Sequence, residues 1–155
     1  LKGSQVVIWC KYVHEWKYII NKLRVAGIIV SGISGEVSGL EQKLKIATSF
    51  RKKLFNVLVC TIASCEKGVD FSVADISIYY SNEYSGEMRA QSEDRLVHLE
   101  RRNGLYNFAD LVVEDSISED IAELVSEKRD MAQERQSKYF PIEEIRKHFR
   151  ILKGQ

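Results

Sequence analysis

Five short apolar segments alternate with stretches of helical periodicity, and this alternation restricts the possible folds of the chain more than any other feature. The segments are rich in β-branched and aromatic residues, which is typical of buried strands. They lie at residues 5–10, 28–30, 56–61, 74–80 and 106–113. Strands that alternate with helices of ordinary length form parallel sheets through right-handed crossovers. The sequence therefore predicts an α/β fold, a doubly wound parallel sheet flanked by helices.

Four stretches of helical periodicity lie between or after these strands, at residues 12–26, 38–53, 85–100 and 118–138. The apolar stripe of the first consists of Trp16, Ile19, Ile20 and Leu23. In the second, the residues predicted to face inward are Leu40, Leu44, Ala47 and Phe50, and those predicted to face outward are Lys43, Lys45, Arg51, Lys52 and Lys53. A loop is predicted at residues 31–35, where glycines let backbone amides approach a ligand. A basic amphipathic helix near residues 143–152 ends the chain, so we predict a core domain over residues 1–128 and a helical C-terminal extension over residues 129–155.

Length and composition indicate one folded domain without a membrane span. With 155 residues, of which 45% are hydrophobic, the chain is long enough to bury a core. Its apolar runs are too short to cross a bilayer, and the residues after Leu1 do not resemble a signal peptide. Cys10, Cys60 and Cys65 form no Cys-x-x-Cys pair and are predicted to be reduced thiols. We therefore expect an intracellular protein.

The net charge of +1 conceals a strong segregation of charge along the chain. Residues 1–53 carry ten Lys/Arg against three Asp/Glu, whereas residues 54–127 carry five against fifteen. A segregated basic region suits a polyanion such as nucleic acid, although the acidic middle would equally suit a basic protein surface. The exposed lysines of the second helix, Lys52 and Lys53 among them, are consistent with a DNA contact or with a solvated helix face.

The segment at residues 89–102 carries the strongest signal of a binding site. If residues 85–100 form a helix, Gln91, Arg95 and His98 share one face, and all three side chains suit phosphate oxygens. The helix follows the carboxyl end of the strand at residues 74–80, which is where open α/β sheets bind their ligands. The spacing predicts a phosphate-binding cluster.

The order of these motifs resembles the C-terminal RecA-like lobe of superfamily 2 helicases, and within it the Snf-type DNA translocases of bacteriophages and bacteria. The resemblance covers residues 6–128. Residues 89–95, Arg-Ala-Gln-Ser-Glu-Asp-Arg, are similar to the first half of motif VI, and residues 68–71, Gly-Val-Asp-Phe, to part of motif V. Residues 6–11 are similar to motif IV, and residues 31–35 to the small Gly-Ser-rich turn of the family.

The resemblance implies a role for several residues. Arg95 would be an arginine finger that stabilises charge on the γ-phosphate of ATP, with His98 in the place of a second arginine. Gln91, Gly68 and Asp70 would contact or orient the nucleotide. Lys11, Ser34 and Thr61 would touch a nucleic-acid backbone, and Lys52 and Lys53 would extend that contact. Double-stranded DNA is the expected partner, and the cytoplasm of a bacterial host is the location that a phage or bacterial origin implies.

The chain also departs from the family pattern. His98 replaces an arginine, Glu66 replaces a glycine, and Glu100-Arg101 stands where Gly-Gln is usual. These changes favour an alternative, a degenerate lobe that binds nucleic acid or protein without turning over ATP. An RNA helicase lobe is a further alternative, although residues 91–95 fit the Snf-type pattern better.

The chain contains no Gly-Lys pair and no Asp-Glu pair. It therefore lacks both a phosphate-binding loop of the Gly-x-x-x-x-Gly-Lys type and the usual acidic pair for Mg²⁺. We expect ATP and Mg²⁺ to be bound mainly by an N-terminal RecA-like lobe of the same protein. The isolated chain is then expected to be an inactive monomer that binds neither tightly.

Overall fold

The computed structural model describes residues 3–37, 39–64, 69–82, 86–96, 107–114, 116 and 120–122. Five strands and three α-helices alternate within this part of the chain. They are β1 (Val6–Cys10), α1 (Val13–Val25), β2 (Val30–Ile33), α2 (Leu40–Arg51), β3 (Val57–Thr61), β4 (Ile76–Tyr79), α3 (Gly86–Asp94) and β5 (Asn107–Asp110). A 3₁₀ turn at Ile62–Ser64 follows β3.

The five strands form one parallel sheet with the order β2-β3-β1-β4-β5. The central strand β1 aligns Val6 with Val57 of β3 on one side and with Ile76 of β4 on the other. All five residues of β1 are buried, because both faces of the sheet are covered. The predicted α/β fold with a parallel sheet is confirmed.

Helices cover both faces of the sheet, as the partition of the β1 side chains demonstrates. Successive strand residues point to opposite faces. Val7 and Trp9 belong to the core cluster that contains Ala47 and Phe50 of α2, together with Phe71 and Leu96. Val6, Ile8 and Cys10 belong to the cluster that contains Ile19 and Ile20 of α1. The α1 and α2 helices therefore lie on opposite sides, which makes the sheet doubly wound.

The predicted loop at residues 31–35 is partly wrong, because β2 begins at Val30 and continues to Ile33. Pairing with β3 extends over all four residues, whereas Ile29, predicted to be in the strand, is 74% exposed. A Cβ atom on Gly32 would lie 2.5 Å from Trp16 Nε1. Gly32 therefore permits close packing of α1 against β2, rather than a close approach to a ligand.

The predicted inward face of α2 is also partly wrong. Ala47 and Phe50 are buried as expected, but Leu40 and Leu44 are 48% and 40% exposed. Lys43, predicted to face outward, is only 6% exposed. The stripe through Phe50 and Ala47 reaches Lys43 at helical spacing, and Leu44 is rotated about 100° away from it. The aliphatic stem of lysine can lie along apolar surface, so this position tolerates Lys43.

The α3 helix is shorter than predicted, because it ends at Asp94 and residues 95–96 form a turn. In that turn the Leu96 backbone N–H donates to Glu93 O at 2.9 Å, and the Leu96 side chain enters the core. The β1, β3, β4 and β5 strands are likewise shorter than predicted at one or both ends. Residues 120–122 are helical where a helix is predicted over 118–138, and the rest of that helix and the extension at 129–155 lie outside the described residues.

Cys10 and Cys60 are fully buried and reduced, as predicted, and Cys65 lies outside the described residues. No helix within the described part of the chain is both long and apolar enough to cross a membrane.

Candidate functional site

Arg89 connects α3 to the carboxyl ends of β4 and β5. Its side chain is almost completely buried, and its Nε donates to Glu93 Oε1 at 2.7 Å on the same helix. Its Nη1 and Nη2 donate to Asp110 Oδ1 and Oδ2 at 2.5 and 3.1 Å, a bidentate pair, and Nη1 also donates to Asn82 Oδ1 at 2.6 Å. These bonds fix the start of α3 against the sheet.

Tyr79 lies beneath the Arg89 guanidinium, which is 3.3 Å from the centroid of the tyrosine ring. Burial raises the pKa of Tyr79 well above its usual value, against an opposing effect of Arg89. Burial would lower the pKa of Arg89, but Tyr79, Asp110 and Glu93 together raise it further. At neutral pH the tyrosine is therefore neutral, and its hydroxyl shares a 2.7 Å hydrogen bond with Ser92 Oγ. The arginine remains charged.

The candidate arginine finger, Arg95, follows directly after α3 and is partly buried. Its Nη1 donates to Val69 O at a long 3.4 Å, and its carbonyl accepts a hydrogen bond from Phe71 N at 3.1 Å. Asp70 lies between these two partners, and its Oδ1 accepts a hydrogen bond from Ser72 N at 2.8 Å. The structure therefore brings together Arg95 and Asp70, two predicted nucleotide-site residues that are distant in sequence.

The remaining predicted nucleotide residues are only partly described. Gln91 is exposed on α3, whereas His98 and Gly68 lie outside the described residues. Because α3 ends at Asp94, helical spacing does not by itself carry Arg95 onto the face of Gln91. The convergence of Gln91, Arg95 and His98 therefore stays a prediction. Arg51, for which no nucleotide role is predicted, has its Nη1 3.9 Å from Asp70 Oδ2.

Three predicted nucleic-acid residues occupy the ends of neighbouring strands. Lys11 follows β1, Ser34 follows β2 and Thr61 ends β3, so all three lie along the carboxyl edge of the sheet. Ser34 and Thr61 are 0% and 2% exposed. Thr61 Oγ1 hydrogen-bonds to Ser64 Oγ, and Ser34 Oγ accepts a bond from Glu36 N at 3.3 Å. Both hydroxyls face inward in this conformation, and the local chain must shift before either reaches a phosphate. Lys11 is partly exposed.

Lys52 and Lys53 are exposed but lie at the opposite edge of the sheet. They follow Phe50 at the end of α2, and Phe50 O accepts a hydrogen bond from Gln5 Nε2. Gln5 immediately precedes β1, and its backbone N–H donates to Asp75 just before β4. The end of α2 is therefore beside the amino ends of the strands. The five predicted nucleic-acid residues do not share one edge.

An open pocket of about 520 Å³ lies where β1, β4 and β5 end, and we name it the edge pocket. Its lining includes Tyr12, Tyr80, Leu111 and Val113, with Lys11, Glu15 and Ser81 as polar members. Glu15 Oε2 accepts hydrogen bonds from Ser81 Oγ at 2.6 Å and from the Tyr12 backbone N–H at 3.0 Å. Burial, with Glu15 nearby, raises the pKa of Tyr80, so its hydroxyl is protonated at neutral pH.

The described residues contain no group of three or more His, Cys, Asp or Glu side chains that could hold a metal ion. Asp110 at the end of β5 and Glu93 on α3 both form ion pairs with Arg89. They therefore do not fit a Mg²⁺ site.

A parallel sheet with this strand order, flanked by helices on both faces, defines a RecA-like α/β lobe. The family described as helicase conserved C-terminal domain matches residues 1–100, and the chain belongs to it. The expected resemblance to the second lobe of superfamily 2 helicases is confirmed at this level. The Snf-type subclass and a phage or bacterial origin stay predictions.

Two solved structures illustrate the similarity of fold. The C-terminal part of the Fun30 ATPase domain superposes with a TM-score of 0.71 at 15% identity, covering 80% of this chain and 39% of that one. The Pyrococcus furiosus Hef helicase domain gives 0.61 at 24% identity, covering 79% of this chain and 24% of that one. The chain thus spans well under half of either structure. No curated protein matches the sequence.

Proposed function

We propose that the chain is the second motor lobe of a Snf-type, DNA-dependent ATPase that acts in translocation or remodelling. An N-terminal RecA-like lobe of the same protein would bind ATP and Mg²⁺. Family membership supports the class of lobe. The observation that carries the proposal is the packing of Arg95 against the Val69–Phe71 segment, because it joins two motifs that the family uses at the nucleotide.

Arg95 is suited to act as an arginine finger because the fold places it beside the Val69–Phe71 segment, where its Nη1 donates to Val69 O at 3.4 Å. A guanidinium in this position can form a shorter, charge-assisted bond to a phosphate oxygen. Arg89 fixes the start of α3, so the backbone that carries Arg95 is ordered before ATP arrives. Donors that are already in place stabilise developing charge without a cost of reorganisation. Gln91 would orient Arg95, and Asp70 would lie near the ribose or couple the nucleotide to DNA.

The carboxyl edge of the sheet supplies the proposed nucleic-acid track. Lys11 would bind a backbone phosphate, with Ser34 and Thr61 joining after a local rearrangement. Contacts of this kind position a strand without reading its sequence. Duplex DNA is proposed because the motif at residues 89–95 fits the Snf-type pattern, and RNA remains the lower alternative.

A degenerate lobe is the second candidate, favoured by His98 and Glu66. Histidine is only partly charged near its ordinary pKa, so it supports a phosphoryl transition state less well than arginine does. In this candidate the lobe binds nucleic acid or protein without turnover.

The test is the ATPase activity of the full-length protein with and without duplex DNA, beside Arg95→Ala. DNA should raise the activity of the wild type, and Arg95→Ala should lower kcat by about a thousandfold or more, the effect of losing an arginine finger. Arg24→Ala is the matched control, because Arg24 is exposed on α1 across the sheet from α2.

Each failure has a distinct meaning. Unchanged kcat in Arg95→Ala would remove the catalytic assignment. A folded protein that lacks ATPase with DNA, even after His98→Arg, would be the degenerate module. Stronger stimulation by RNA than by duplex DNA would replace the DNA assignment.

A further inference from the structure

The edge pocket is a feature of the described structure of which the proposed motor function uses only Lys11. It lies at the carboxyl ends of β1, β4 and β5, the position at which open α/β sheets bind ligands. Its volume of about 520 Å³ falls within the range of roughly 300–1,000 Å³ that is typical of small-ligand sites. The edge pocket is therefore large enough to hold a ligand of its own, separate from the nucleotide.

The walls of the edge pocket are suited to a flat aromatic ring. Tyr12 and Tyr80 are 49% and 36% exposed, and Leu111 and Val113 add apolar surface. The Tyr12 ring already stacks on His14, with centroids 5.3 Å apart and planes inclined by 14°. Exposed aromatic rings of this kind are the platforms on which bases of single-stranded nucleic acid stack.

The polar residues of the edge pocket are suited to the phosphate backbone of a nucleic-acid strand rather than to a purely apolar ligand. Lys11 lines the pocket, and its Nζ lies 5.4 Å from the centroid of the Tyr12 ring. The Glu15 carboxylate accepts hydrogen bonds from Ser81 and from the backbone N–H groups of Lys11 and Tyr12, which hold it at the wall of the pocket. A cation beside aromatic rings is the combination that holds a phosphate and its base together.

We propose that the edge pocket receives one unstacked base of a nucleic-acid strand, stacked on Tyr80, while Lys11 binds the adjacent phosphate. This inference rests on the proposed nucleic-acid function and adds a base-binding site to it. The base is not that of ATP, because neither Arg95 nor Asp70 lines the pocket, and their neighbours Leu96 and Phe71 belong to the core cluster on the α2 side of the sheet.

The test measures binding of the full-length protein to a labelled oligothymidylate and to an abasic strand of the same length and charge. The wild type should prefer the strand that carries bases. Tyr80→Ala should weaken binding of oligothymidylate by roughly five- to a hundredfold, the range of one lost stacking contact, and leave binding of the abasic strand unchanged. Tyr80→Phe keeps the ring and should bind as the wild type does.

Tyr18→Ala is the matched control, because Tyr18 is a 54% exposed tyrosine on α1 that does not line the pocket. Lys11→Ala should weaken binding of both oligonucleotides equally, since both keep their phosphates. Equal binding of the two strands by the wild type, or an equal loss in Tyr80→Ala and Tyr18→Ala, overturns the base site and leaves the motor proposal standing. Failure of the full-length protein to bind either strand or duplex DNA overturns both proposals.

Discussion

Tyr79 is a side chain on which several parts of the core depend. It is fully buried, it stacks on Trp9 at a centroid distance of 6.1 Å, and it carries the Arg89 guanidinium on its other side. Its hydroxyl bonds to Ser92 of α3, so the residue joins the central strands to the helix that precedes Arg95. Because burial favours the neutral phenol, Tyr79 also makes stability depend on pH.

We expect the free energy of unfolding of Tyr79→Phe to fall less steeply with rising pH than that of the wild type under alkaline conditions. The folded-state pKa of Tyr79 is raised, so the unfolded chain loses this proton first, above about pH 10. The contribution of neutral Tyr79 to the free energy of unfolding is fully present below that pH. Above that pH it falls by up to about 1.4 kcal/mol per pH unit. At neutral pH the variant should lose only about 0.5–1.5 kcal/mol for the Ser92 bond. Urea denaturation of both proteins across pH 8 to about 11 measures the difference, and parallel curves would contradict it.

At the residue scale, local motifs were predictable from the sequence and long-range partners were not. The strand-helix order placed Lys11 and Ser34 at strand ends, and motif order placed Arg95 near Asp70. The Arg89–Glu93 pair has visible helical spacing and was the one available signal of the buried network. Asp110 and Asn82 complete that network from other segments, and only the folded sheet brings them to Arg89.

At the scale of elements, α3 is held at its first turns by the Arg89 network and at its end by the Phe71–Arg95 backbone bond.

The elements that departed from prediction did so for reasons of packing. The β2 strand extends through Ser31–Ile33 because the edge of β3 needs a partner and Gly32 admits Trp16. The α2 helix turns Lys43 inward because Phe50 and Ala47 determine its buried stripe. Neither the extension of β2 nor the burial of Lys43 can be predicted from one segment alone, because each depends on packing against another element.

We predict that Arg89→Met detaches α3 from the sheet and lowers the free energy of unfolding by about 3–5 kcal/mol. The variant leaves the carboxylates of Glu93 and Asp110 without their cation in a buried site, which is the costly way to break an ion pair. Urea denaturation measures the loss. Arg24→Met, at an exposed position, is the matched control and should stay within about 0.5 kcal/mol of the wild type.

A second variant distinguishes charge from packing in this network. If buried charge is the cause, adding Glu93→Gln and Asp110→Asn to Arg89→Met should recover part of the lost stability. A loss in Arg89→Met no larger than that in Arg24→Met would mean that the network contributes nothing to the anchoring of α3.

At the scale of the whole molecule, the fold separates the proposed functions in space. Leu96 and Phe71, the neighbours of Arg95 and Asp70, belong to the core cluster on the α2 side of the sheet, and Lys11 belongs to the carboxyl edge. Lys52 and Lys53 are at the amino edge, where Gln5 bonds to Phe50 O. The sequence predicted a basic region correctly as a property of composition. The sequence alone does not predict at which end of the strands each lysine lies, because that depends on the direction in which α2 runs across the sheet.

This separation predicts that binding of DNA and turnover of ATP change independently. In the full-length protein, Lys11→Ala should raise the DNA concentration for half-maximal stimulation of ATPase, and kcat at saturating DNA should stay near the wild-type value. The loss of one phosphate contact should also reduce the salt dependence of DNA binding by about one unit of slope. Arg95→Ala should do the reverse, lowering kcat while DNA binding stays unchanged.

The Lys52→Ala, Lys53→Ala double variant is the decisive comparison, because it removes more positive charge than Lys11→Ala does, but at the opposite edge. If DNA follows the carboxyl edge alone, the double variant should bind DNA with an affinity and a salt dependence near those of the wild type. Titrations of fluorescence anisotropy at several salt concentrations measure both quantities. A weakening as large as that of Lys11→Ala would mean that the nucleic acid also reaches the amino edge, and the track would then have to pass across a face of the sheet rather than along one end.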